Sequence, residues 1–376
     1  MTPAELQQRS LSLGFAPAVW LGAEAPGGLA LPSAKPAADT LYGPRGVWFD
    51  DDYFIVCDSG NHRILVWRGI PDADHAPAEV VLGHASFADE GPALLQLPTC
   101  AMVVEGNLIV ADSWHHRLLI WDGVPRENNA APARVIGQSS MDEITENRGR
   151  GVTDREGFYW PYAFGFAGGR FFVCDTGNRR VLAWPSLPEP GEPPRWLIGQ
   201  DDWSGRGENR DGAVGPTSFR WPHAVAGDDE SLYIADAGNH RVLGWTDAAA
   251  ACAGAAPDLV LGQDDFASAK EWPYGPQAAN VHRFPYCISF DGDRLAISDT
   301  ANNRVLLHDP APRVGVGIHA DGVLAQPGFA ENGENRWKSV VDDTLCWPYG
   351  MHLRGDVLAV ADSGNNRVMI WKKGGL

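Results

Sequence analysis

Apolar runs of four or five residues recur along the whole chain, each closed by a polar turn. YFIVC (53–57) precedes Asp58 and ILVW (64–67) follows Arg63, while SLYIA (231–235) and VLGW (242–245) flank Asp236 and Arg241. Runs of this length around a tight polar turn predict β-hairpins rather than helices. The turn itself is repeated six times. It reads Asp-Ser-Gly-Asn-His-Arg (58–63), Asp-Ser-Trp-His-His-Arg (112–117), Asp-Thr-Gly-Asn-Arg-Arg (175–180), Asp-Ala-Gly-Asn-His-Arg (236–241), Asp-Thr-Ala-Asn-Asn-Arg (299–304) and Asp-Ser-Gly-Asn-Asn-Arg (362–367). Trp114 and Ala301 stand where the others have Gly, and His115 where they have Asn, so those turns are expected to take a different shape.

A proline lies 14 residues before every one of the six aspartates: Pro44, Pro98, Pro161, Pro222, Pro285 and Pro348. A further strand and polar turn fit between proline and aspartate. After each of the first five hairpins a Pro- and Ala-rich linker leads to a short run such as LVLGQ (259–263) or RVIGQ (134–138). One unit is therefore four strands: a from the proline, b into the aspartate, c after the arginine, and d ending near Gly-Gln. Four-stranded units with an aspartate-to-aspartate period of 54 to 63 residues are propeller blades. The sixth unit lacks strand d, and the N-terminal run AVWLG (18–22) is a strand d with no unit before it. Pairing the two closes the ring and removes the open sheet edges. The expected fold is an all-β, six-bladed β-propeller with four antiparallel strands per blade. It spans 1–376 as one domain, with 1–17 as an N-terminal extension.

Closure resolves the length, since 376 residues would otherwise point to two or three domains. Hydrophobic residues are 44% and charged residues 21%, which excludes global disorder. The 48 acidic against 30 basic residues give a net charge of −18, which weighs against nucleic acid as a partner. The sequence carries no apolar run long enough to span a bilayer and no basic-then-apolar leader. Six cysteines without a Cys-x-x-Cys pair read as reduced thiols. These features lead to the expectation of a cytoplasmic monomer without a membrane partner.

The hairpins, the strand a prolines and the strand d signature Leu261-Gly262-Gln263-Asp264-Asp265-Phe266 make the chain resemble the NHL-repeat family of six-bladed propellers over residues 18–372. The resemblance implies the fold and leaves function open, because such scaffolds host many activities. Relatives of this kind include metal-dependent lyases and lactonases, and some bind RNA.

The repeated residues read as scaffold, because an active site needs asymmetry. The aspartates are expected to meet the arginines five residues on, and the strand c tryptophans (Trp67, Trp121, Trp184, Trp245, Trp371) to pack between blades. His308 breaks that series and reads as a satisfied core residue. Chemistry is sought where the repeat varies. Directly after the strand a prolines come Arg45, Thr99, Tyr162, His223, Tyr286 and Tyr349, and before them Gly43, Leu97, Trp160, Trp221, Phe284 and Trp347. Both sets are expected at the channel mouth, below d-to-a loops of 15 to 24 residues that are long enough to be functional. Arg45, Tyr162, His223, Tyr286 and Tyr349, with Trp160, Trp221 and Trp347 as an aromatic rim, are the candidate binding residues. The triplets Glu-Asn-Arg at 146–148, 208–210 and 334–336 recur at constant phase and read as loop structure.

Two functions are weighed. The preferred one is a non-enzymatic scaffold binding a protein partner or small ligand on the looped face. The alternative is a metal-dependent lyase or hydrolase at the same mouth. A zinc site needs about three converging histidines, and the mouth ring offers only His223, with His282 and His352 near strand a. No cofactor is expected, a divalent metal near His223 being the minor option. Asp201-Asp202 and Asp264-Asp265 recur at strand d ends and read as turns. No GxSxG elbow or phosphate-binding glycine loop is present.

Overall fold

A computed structural model describes residues 11–22, 35–271 and 276–374. Six antiparallel sheets, each in the spatial order a-b-c-d, form six blades. In the first, strand a is Gly46–Phe49, b is Tyr53–Asp58, c is Arg63–Arg68 and d is Val80–Leu82. Strand a of each blade touches strand a of the next all the way round, so the ring is closed. The sixth sheet takes its outer strand from the N-terminus. Phe15–Gly22 runs antiparallel to Arg367–Lys373, with Leu21 opposite Val368 and Val19 opposite Ile370. That strand starts at residue 15 rather than 18, so 15–17 belong to the sheet rather than to the expected extension, of which 1–10 lie outside the described residues. Blade four carries a fifth strand, Gly315–Val316, parallel to its strand d, Leu259–Leu261. No helix among the described residues is long and apolar enough to cross a membrane.

The core is divided into six apolar layers, one between each pair of neighbouring blades. Phe172, Val181 and Ile198 of blade three meet Ile234, Leu243 and Val260 of blade four, for example. Alternation explains this: each strand is buried on both faces, and successive side chains feed the layers on either side.

The repeated hairpin is a clamp. In every blade the aspartate Oδ2 accepts from the Arg Nε at 2.6 to 3.0 Å. Oδ1 accepts from a backbone amide 16 residues earlier, at 2.6 to 2.9 Å. The Arg Nη2 donates to a carbonyl of the preceding d-to-a loop, such as Leu94 for Arg117 and Ser218 for Arg241. Full burial is tolerated because charge and hydrogen bonds are satisfied together. The long loops therefore fold back onto the hairpins, which places both on one face of the ring. The Glu-Asn-Arg triplets complete this contact. Asn147, Asn209 and Asn335 exchange amide hydrogen bonds with the hairpin residues Asn178, Asn239 and Asn365.

The Trp114 and Ala301 turns are not shaped differently. Each is the same three-residue turn ending in a left-handed residue, His116 and Asn303, as in the other blades. The glycine is required by proximity rather than by φ: a Cβ on Gly60 would lie 2.5 Å from the Tyr42 carbonyl. At Trp114 and Ala301 the facing carbonyl stands slightly further off, at 3.2 and 3.1 Å from the turn amide against 2.8 Å at Gly60. His115 replaces Asn by placing Nδ1 2.9 Å from Asp112.

Candidate functional site

Two inter-blade contacts set the start of strand a. In five of the six joints a Ser or Thr of one hairpin donates to the carbonyl of the next blade's proline, as Ser59 does to Pro98 at 2.5 Å and Ser113 to Pro161 at 2.6 Å; the fourth hairpin has Ala237 there. The left-handed residue of the hairpin accepts from the amide just before that proline. His62 holds Leu97, His116 holds Trp160, His240 holds Phe284, Asn303 holds Trp347 and Asn366 holds Gly43. All five held residues have φ near +50°, a conformation that costs a non-glycine residue about 1 kcal/mol or more. In the remaining joint the left-handed residue is Arg179, which cannot accept. There Trp221 keeps a negative φ and its amide turns to Asp236 at 3.3 Å.

In five of the six blades the residue after the proline sits on a bulge. Pairing register shifts between Pro98 and Cys100, Pro161 and Ala163, Pro222 and Ala224, Pro285 and Cys287, and Pro348 and Met351. A bulge re-aims the side chain of the unpaired residue. All six post-proline residues line the central channel. The sequence spacing placed them there, while the bulges had no sequence signal.

Four of the six side chains stack into a plug. The Tyr162 and His223 rings are 4.3 Å apart, His223 and Tyr286 stack at 4.5 Å, and Tyr286 and Tyr349 lie 4.9 Å apart. The Arg45 guanidinium lies over the Tyr349 ring at 4.7 Å. Thr99 turns its hydroxyl to the Tyr162 carbonyl at 2.5 Å. A cavity of about 60 Å³ remains among these residues. Trp160 packs against both Tyr162 and His223 and meets the exposed Trp114 edge-on at 5.2 Å. Trp221 stacks on Phe284 beneath Arg220. Trp347 stands apart on the rim, 39% exposed, with Nε1 donating to Glu334.

Burial governs the charges. It lowers His223 to about 4, and Nδ1 donates to the Trp221 carbonyl at 3.0 Å, so the ring is neutral near pH 7 with Nε2 carrying the lone pair. Burial lifts Tyr286 to about 12 and drives Tyr162 higher still. It also works against the charge of Arg45, but Tyr162, Tyr349 and Tyr286 outweigh it and keep the guanidinium protonated. Arg45 thus supplies the positive charge of the cluster.

The other candidates disperse. His352 packs edge-on against Phe49 at 4.9 Å, and His282 is buried beside Gly262 with its Nδ1 unpartnered. No group of three His, Cys, Asp or Glu that could hold a metal ion occurs among the described residues. Asp202 and Asp265 cap the turns at Ser204 and Ala267, while Asp201 and Asp264 pair with Arg210 and Lys270. His308 is buried with Nε2 unpartnered, contrary to the expectation of a satisfied core residue.

No family model matches the chain, and no curated protein matches it. Solved structures do, at 10% identity. A streptogramin B lyase matches over 91% of this chain and 95% of its own, with a TM-score of 0.43. The virginiamycin B lyase from Staphylococcus aureus matches over 90% and 97%, at 0.45. An auxiliary nutrient binding protein from Bacteroides thetaiotaomicron matches over 95% and 75%, at 0.49.

Proposed function

We propose that this chain is an NHL-type propeller acting as a binding scaffold, whose channel mouth and looped face engage a protein segment or other ligand. The observation that carries this reading is a division of labour. The sixfold-repeated polar residues of the hairpins are engaged internally, in ion pairs and loop clamps. The post-proline residues, which are three tyrosines with one arginine, one threonine and one histidine rather than a sixfold repeat, converge on one spot. The space among them is too small to enclose a drug-sized ligand, so the partner rests on the plug and the tryptophan rim. Rings already packed against one another lose little freedom on binding, which favours affinity.

The test is selection of peptides from a random display library against the wild-type protein. The selected peptides are then titrated against wild type and a Tyr286→Ala, Tyr349→Ala double variant with an unchanged circular dichroism spectrum. Mouth binding predicts at least a tenfold weaker Kd for the double variant. Peptides that bind both proteins equally would place recognition elsewhere.

A further inference from the structure

Arg45 differs from the arginines of the hairpins. Each of those six is buried against an aspartate, whereas the groups acting most strongly on Arg45 are the three tyrosines, and it forms no ion pair among the described residues. Arg45 is half-buried, and a guanidinium partly withdrawn from water without a counter-charge is costly in an isolated chain, all the more noticeable in a protein with 48 acidic residues available. Beside it the hydroxyl of Tyr162, a residue only 4% exposed, faces the guanidinium, which acts on it as a hydrogen-bond donor, and finds no acceptor for its own hydrogen. Both groups line the same small cavity. An unmatched cation and an unused donor facing one cavity describe a receptor for an acceptor-only group that bears one negative charge.

We infer that the mouth reads a carboxylate, with the Arg45 guanidinium and the Tyr162 hydroxyl as its donors and the faces of Tyr286 and Tyr349 as its walls. This rests on the mouth being the binding site, and it names the group recognised there. A carboxylate fits better than a phosphate on two grounds. The cluster offers a single positive charge, and a net charge of −18 repels a dianion more than a monoanion. A space of about 60 Å³ also admits a head group and no more, leaving the body of the ligand against Trp160 and the rim. A bidentate guanidinium–carboxylate contact would satisfy the fork that no carboxylate among the described residues fills.

The experiment is calorimetric titration of the full chain at pH 7.5 with two matched pairs: phenylacetate against phenylacetamide, and display-selected peptides with a free against an amidated C-terminus. The expected result is at least tenfold tighter binding of the acid in one or both pairs. The pair that discriminates identifies the source as a free acid or a chain terminus. Discrimination should fall to within about twofold in Arg45→Gln. It should fall at least threefold in Tyr162→Phe, which removes a single hydroxyl and keeps the fold readable if Arg45→Gln does not. Equal affinity for acid and amide, no binding of either acid, or discrimination unchanged in Tyr162→Phe would overturn the carboxylate assignment. Selected peptides that need Tyr286 and Tyr349 but ignore amidation would overturn this assignment alone. Peptides that ignore both tyrosines would remove the mouth reading itself.

Discussion

Glycine at the third position of the hairpin is kept for space, and the blades that lack it show how the space is made. A Cβ at Gly364 would fall 2.5 Å from the Cys346 sulfur and one at Gly177 2.5 Å from the Tyr159 carbonyl, so the loop is pressed onto the turn. Where Ala301 or Trp114 stands, the amide-to-carbonyl contact lengthens to 3.1 or 3.2 Å and the dihedrals are unchanged. Gly60→Ala is therefore expected to destabilise the protein by about 1–3 kcal/mol, the usual cost of overpacking. Urea denaturation measures it, and an unchanged midpoint would show that the Tyr42 loop lifts as freely as its counterpart over Ala301. Reading glycine as a conformational need made two turns look exceptional when they are not. The proline spacing, by contrast, located all six mouth residues, because strand a begins at the same place in every blade. That the rings would fall onto one another was not legible, since it depends on bulges set by pairing register and on side-chain volume in the channel.

At the scale of one blade, the fifth departs from its siblings in a coupled way. Three residues before the strand a proline the other blades bury Leu41, Leu95, Phe158, Phe219 and Leu345; here it is His282. At the end of strand c the others bury tryptophan; here it is His308. In blade three the two equivalent rings, Phe158 and Trp184, pack edge-to-face at 6.3 Å. In blade five both positions hold a buried imidazole with an unbonded nitrogen, Nδ1 of His282 and Nε2 of His308. Burial, with the second imidazole adding to it, drives His282 far below its ordinary pKa, and burial brings His308 to about 4. Each unsatisfied buried polar atom costs about 1–3 kcal/mol. The double substitution His282→Phe, His308→Trp restores the sibling packing and is expected to raise Tm by several degrees in scanning calorimetry. A fall in Tm would mean that the imidazoles are held by bonds this reading omits. The sequence showed the His308 break but not its pairing with His282, because the two are 26 residues apart and meet only in the folded blade.

The ring as a whole should be acid-sensitive through its histidines. Besides that pair, burial lowers His62 and His240, and brings His116, His223 and His352 to about 4. The unfolded chain binds protons to these groups below about pH 6.5 while the folded ring resists to lower pH, about 4 for His116, His223, His308 and His352. Their contribution to stability is therefore complete above 6.5 and declines as pH falls toward 4. His62, His116 and His240 add a structural reason, since each accepts the inter-blade hydrogen bond through Nδ1 and cannot do so when protonated. Burial raises the carboxyls of Asp58, Asp175 and Asp362, which act in the opposite sense but are outnumbered. Denaturation midpoints should drop steadily from pH 6.5 to 4.5, and a flat profile there would refute the histidine account. Closure makes the second demand on the ring. Phe15, Val19 and Leu21 are buried in the layers on either side of blade six, and their strand covers the whole of Arg367–Lys373. Removing residues 1–22 would bare that edge together with the apolar surface beneath it, and an uncovered edge recruits other chains. The truncated protein is expected to unfold at a much lower temperature and to self-associate in light scattering. Adding a synthetic 11–22 peptide should reverse that self-association, because the register from Phe15 to Gly22 is specified by alternation and one strand face has nowhere else to be buried. A truncated ring that scatters light like the full chain and keeps its Tm would mean that the six sheets hold the circle without the strand that closes it.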